Sequence, residues 1–121
     1  MLQFEVDQPQ NLMKMVFSRR VTPEDTRDGR GKLPAILRQL QPGFKLLGDF
    51  TTLESMDYAC APDIEYTMDQ CNAAGISKVV RVIPDPRRDI GMSIMSLFHY
   101  RRGISIVTCQ TMEEGLAALK D

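Results

Sequence analysis

Ser77-Lys78-Val79-Val80-Arg81-Val82-Ile83 is the stretch that decides the fold. A short, nearly continuous apolar run bounded by Gly75 and Pro84 reads as a β-strand covered on both faces, the situation of a central strand in a parallel sheet. Helical patterns flank it. Upstream, Asp57 to Ala74 reads as a helix closed by Gly75. Downstream, Asp89 to Tyr100 reads as a helix carrying Ile90, Ile94, Leu97 and Phe98 on one side. Phe44 to Phe50 and Ile104 to Cys109 supply further strands beyond these helices. Thr111-Met112-Glu113-Glu114 is a capping box opening a last helix, with Met112, Leu116 and Leu119 as its apolar face.

The N-terminal part reads differently. Leu2 to Val6 alternates apolar and polar side chains, Asp7 to Asn11 is turn chemistry around Pro9, and Met13, Met15 and Phe17 alternate again. Two strands joined by a turn form a hairpin or sheet edge. Thr22-Pro23-Glu24-Asp25 then combines a cap residue, a first-turn proline and first-turn acids, so a helix follows and ends near Leu40. Gly29, Gly31 and Pro34 weaken its middle, which should bend or begin again near Lys32. The order is β-β-α-β-α-β-α-β-α. Over residues 1–121 this is one α/β domain, with a mostly parallel central sheet of five strands, an antiparallel N-terminal edge and four helices.

Composition bounds the function. The chain has 121 residues, enough for a core without staples. Its 15 basic and 16 acidic side chains leave a net charge of -1, which removes the bulk attraction that non-specific nucleic-acid binding uses. No apolar run reaches the roughly 18 residues of a membrane span, and MLQFEVDQPQ lacks a secretory apolar core. The expectation is a soluble, cytoplasmic protein that neither binds nucleic acid nor inserts into a membrane. Cys60, Cys71 and Cys109 are odd in number, widely spaced and without a C-x-x-C, so they read as small buried hydrophobes in a reducing compartment. With His99 the single histidine, no zinc-ligand spacing exists and no cofactor is implied.

The element order and two local stretches resemble the anti-sigma factor antagonist family, the STAS or SpoIIAA-like domain. The family's signature is a strand running into D-L-S-G-V-x-x-I-D-S-S-G-L at the start of its second helix. Leu47 to Ala61 reads L-G-D-F-T-T-L-E-S-M-D-Y-A-C-A. Asp49 falls on the first aspartate, Phe50 on the leucine, Thr51 on the serine, Leu53 on the valine, Met56 on the isoleucine and Asp57 on the second aspartate. The family's closing strand and S/T-x-x-E-A-L helix resemble Ile104 to Leu119. The resemblance implies a regulatory module that binds a protein partner. It also exposes a departure. In the family a partner kinase phosphorylates the serine before the glycine, and that position here is Ala59, with Tyr58 before it and Cys60 after. Alanine has no hydroxyl, so the serine switch is chemically absent at this position. Tyr58 carries a hydroxyl but reads as a structural or exposed tyrosine.

Several side chains are candidates for binding. Asp57 is most simply the helix cap. The loop Pro84–Gly91 leaves the carboxyl end of the central strand, where open α/β sheets gather ligands, especially where strand order reverses. Arg87 and Arg88, beside the helix start and its cap Asp89, would suit a small anionic or acyl-type ligand. The competing reading is a rigid loop whose arginines pair with Asp85 and Asp89. Met92 and Met95 lie off the Ile94–Leu97–Phe98 side of their helix and so form a second apolar surface, suited to a protein partner, a homodimer contact or deeper core. His99 lacks a visible nucleophile or orienting carboxylate, so no enzyme is expected. The sequence thus points to a non-catalytic interaction module using Asp57, Tyr58, Met92 and Met95, with a ligand-sensing domain built on Arg87, Arg88 and Asp89 as the alternative.

Overall fold

In the computed structural model, which describes residues 1–120, the N-terminal hairpin pairs β1 (Leu2–Asp7) with β2 (Leu12–Val21) antiparallel. Beyond β2 every pairing is parallel: β3 (Lys45–Met56), then β4 (Lys78–Val82), then β5 (Ser105–Cys109). The spatial order is β1-β2-β3-β4-β5, identical to the chain order. Each right-handed crossover therefore steps the same way, and α1 (Pro23–Leu37), α2 (Ala61–Ala73) and α3 (Met92–His99) are carried to one face. The last helix, α4 (Met112–Leu119), packs on β3, β4 and β5 across the other face.

Side-chain alternation along the strands splits the core accordingly. Met13, Met15 and Phe17 of β2, Leu46 and Phe50 of β3 and Val79 of β4 meet Leu33, Ile36, Ile64, Met68 and Cys71 of the helices. Leu12, Leu47, Val80, Val82 and Cys109 point the other way, under Met112, Ala118 and Leu119 of α4. Each such side chain contributes about 1.5–3 kcal/mol on burial. β4 is buried at all five positions, as a central strand must be.

The starts of α1 and α4 fall where the sequence puts them. Thr22 and Asp25 form the reciprocal capping box of α1, and hydrogen bonds led by the Thr22 backbone N–H hold the Asp25 carboxyl below its usual range. The expected break near Lys32 does not occur. α1 runs through Gly29, Gly31 and Pro34 as one helix, because tertiary packing overrides propensity there. Gly29 is buried, and a Cβ on it would lie 3.1 Å from the Phe4 ring of β1.

Two apolar assignments are corrected. In α4, Leu116 is exposed and Gly115 faces the sheet instead. A Cβ at Gly115 would come within 2.5 Å of Val82 Cγ2, so glycine allows the closest approach of helix to strand. In α3, the helix begins at Met92 rather than Asp89, after a tight turn over Pro86–Arg88 and two left-handed residues, Ile90 (φ 54°) and Gly91 (φ 73°). That entry rotates the helix. Met92, Met95 and Ser96 turn inward, and Ile94, Leu97 and Phe98 face out.

Candidate functional site

β3 continues to Met56, and Asp57 follows directly as the cap of a single tight turn, Tyr58–Cys60, that leads into α2. Asp57 Oδ1 accepts from the Ala59 N–H at 2.8 Å, the role expected of it. Tyr58 is 81% exposed. A narrow groove of about 30 Å³ brings Asp57 and Tyr58 to the flank of α3, with Ile90 and Met95 among its other walls. Asp57, Tyr58 and Met95 are thus neighbours. Met92 is not part of that surface: it is 4% exposed and belongs to the core.

The outer face of α3 is where the apolar surface lies. Ile94, Leu97 and Phe98 are 63%, 75% and 80% exposed, at the i, i+3, i+4 spacing of a single stripe. The sequence placed that stripe in the core and the methionines outside. Both sides of the helix are apolar, so periodicity alone could not choose between them. The left-handed pair at its start decided the rotation.

Of the two loop arginines, Arg87 is tied back onto the loop itself. Arg87 grips Asp85 through Nε and Nη2 at 3.1 and 2.9 Å, and the charge-assisted hydrogen bonds hold the Asp85 carboxyl below its usual range. This is the rigid-loop alternative. Asp89 turns away from the arginines: its carboxylate accepts from the Ser93 N–H at 3.0 Å and from the Ser93 hydroxyl at 2.6 Å, capping the first turn of α3. Arg88 is half-buried. Strand order never reverses beside this loop, so no crevice of the switch-point kind opens there.

A different arginine is buried. Arg81 lies mid-strand in β4 and is only 6% exposed. Its Nη2 donates to Thr108 Oγ1 at 2.9 Å and to Ser93 Oγ at 3.2 Å. Its Nε and Nη1 are buried and donate to nothing among the described residues. Burial lowers the guanidinium's affinity for its proton, opposed by the charge of Asp89 and by Tyr100. Arg81 forms part of the wall of a cavity of about 40 Å³ under α3. The cavity lies between Met15, Phe17 and Phe50 of the sheet and Met92, Ser96 and Tyr100 of the α3 segment. Phe17 and Phe50 stack with ring centroids 4.4 Å apart. The Thr67 and Ser96 hydroxyls on its wall donate to helix carbonyls, of Asp63 and Met92. Sequence reasoning passed over Arg81, although the signal was present. One arginine inside an apolar strand covered on both faces has nowhere exposed to go.

Cys60, Cys71 and Cys109 are buried free thiols, and burial pushes the Cys71 thiol up to about 12. His99 lies between two carboxylates of α2, with Nδ1 at 3.3 Å from Asp69 and Nε2 at 3.7 Å from Glu65, tying α3 to α2. Among the described residues no group of three or more His, Cys, Asp and Glu side chains is arranged to hold a metal ion, and no helix is long and apolar enough to cross a membrane.

No protein-family model matches the chain, and no curated protein matches it in sequence. Solved structures do match in fold. An uncharacterized protein of the DUF3478 family with a SpoIIAA-like fold, from Shewanella loihica PV-4, superposes with a TM-score of 0.71 at 16% identity, over 98% of this chain and 92% of its own. The anti-sigma factor antagonist SpoIIAA in its unphosphorylated form gives 0.67 at 15% identity, over 99% and 98% of the two chains. The Bacillus cell fate determinant SpoIIAA in its phosphorylated form gives 0.65 at 15% identity, over 98% and 99%. The fold is SpoIIAA-like over the whole described chain.

Proposed function

We propose that this protein is a non-catalytic regulatory module that binds a protein partner through the outer face of α3 and the adjoining start of α2. The observation that carries it is the exposed stripe Ile94, Leu97 and Phe98, on a helix whose flank at Met95 shares a groove with the equally exposed Tyr58. Leaving large apolar side chains in water forgoes burial worth about 1.5–3 kcal/mol each, and aromatic anchors of this kind dominate interface energies. Basic side chains lie at both ends of the stripe. Arg88 precedes α3, and Arg101 and Arg102 follow it, both exposed. A partner with an apolar patch rimmed by acidic groups fits this surface, and its association weakens as salt screens the rim.

The SpoIIAA-like fold supports the reading, since one neighbour is an anti-sigma factor antagonist, a role directed at another protein. The serine switch that the resemblance implies for the family is absent here, because Ala59 occupies that position. Control of the partner therefore does not run through a phosphoserine at this site.

Native mass spectrometry of the protein isolated from its own cells tests the reading. A stoichiometric second polypeptide, lost on Leu97→Glu with Phe98→Glu, supports it. A homodimer dissociated by the same pair of changes assigns the face to self-association instead. A complex that survives both changes removes α3 as the docking element.

A further inference from the structure

We propose that the chamber under α3 binds a small carboxylate, its charged head on the Arg81 guanidinium and its short apolar body against Met15, Phe50 and Met92. The inference does not depend on the docking surface, which lies on the opposite side of the same helix.

A guanidinium has five N–H donors. Nη2 places its pair on Thr108 and Ser93, and those on Nε and Nη1 remain open in the interior. An unpaired donor at a buried site carries the full cost of its lost hydration, and a buried charge costs more. No carboxylate lies in ion-pair contact with Arg81 among the described residues, and Asp89 reaches it only through the Ser93 hydroxyl. Water could satisfy the open donors but would add no countercharge in direct contact with the guanidinium, whose nearest carboxylate, Asp89, acts through Ser93. An anion does both.

The walls choose the kind of anion. Apart from Arg81, the cavity is lined mainly by aromatic, thioether and aliphatic side chains, with the Thr67 and Ser96 hydroxyls already donating to helix carbonyls. A multiply charged phosphate finds a single cation there. A monovalent carboxylate matches the single charge, and its carbon end matches the walls. The volume sets the size. About 40 Å³ exceeds the ~10–15 Å³ needed to hold one water and falls well short of the ~150 Å³ that admits benzene. Acetate or propionate is of the right order.

The test is a titration of the full chain with sodium propionate at pH 7 and constant ionic strength, followed by amide nuclear magnetic resonance, with propionamide as the neutral isostere and sodium chloride as the simple-anion control. Saturable shifts centred on Gly48, Arg81 and Ser96, with at least ten-fold weaker binding of propionamide and of chloride, are the expected result. Arg81→Met should weaken propionate binding at least ten-fold, whereas Leu97→Glu with Phe98→Glu should leave it unchanged. Equal binding of propionamide or chloride, or shifts that rise without saturating, would overturn the proposal. If Arg81→Met fails to fold, the wild-type comparison of propionate with propionamide still decides.

Discussion

Lys78 and Arg81 lie on the same central strand, are both buried, and face opposite sides of the sheet. Their fates differ. Lys78 Nζ donates to the Ala118 carbonyl at the end of α4, and Lys45 Nζ, one strand over, donates to that of Leu119. Cations there satisfy carbonyls the helix leaves open and complement the negative end of its dipole. Arg81 instead faces a cavity with two of its nitrogens unpaired. On the α4 face the cations end on helix carbonyls, and on the other face a buried cation with open donors borders a cavity.

The contrast can be broken from either face. The largest effect is expected at Gly115, where alanine would press a Cβ to within 2.5 Å of Val82. Forcing α4 off the sheet should cost about 2 kcal/mol, read as a lower urea midpoint at unchanged slope. Lys78→Met should cost about 1–2 kcal/mol by removing a buried cation from the end of α4, again by urea unfolding. Arg81→Met should behave oppositely. Replacing a buried charge that has no carboxylate in direct contact with an apolar side chain of similar length should leave stability unchanged or raise it by up to about 1 kcal/mol. A loss as large as that of Lys78→Met would mean that Arg81 is as structural as its neighbour. Smallest is Phe98→Glu on the outer surface of α3. It should shift stability by less than about 0.5 kcal/mol, while partner association measured by sedimentation is lost.

Much of the fold was legible because its signals are local. The helix caps at Thr22 and Thr111, the cap at Asp57 and the alternation of β1 and β2 each appear where the residues place them. The parallel order followed from β-α alternation. What failed was orientation. α3 is apolar on both sides, so the choice between Met92 and Phe98 as the buried residue rested on the left-handed Ile90–Gly91 entry, a three-dimensional feature with no periodic trace. α4 failed for a related reason: close packing selects Gly115, which a search for large apolar residues overlooks. At the candidate site, Asp57, Tyr58 and Met95 line one groove, whereas Met92, named with them from the sequence, lies in the core. The loop arginines drew attention because they are conspicuous, and Arg81 escaped it although a strand covered on both faces already implied its burial; which of its nitrogens find partners was not legible in the sequence.

The most direct measurement is the melting temperature of the wild type, Lys78→Met and Arg81→Met as sodium propionate replaces sodium chloride at constant ionic strength. A ligand that binds only the folded state raises the melting temperature with concentration. Propionate should raise it for the wild type and for Lys78→Met, and leave Arg81→Met flat. An equal rise in all three, or none in the wild type, would contradict the assignment of Arg81 as the binding cation.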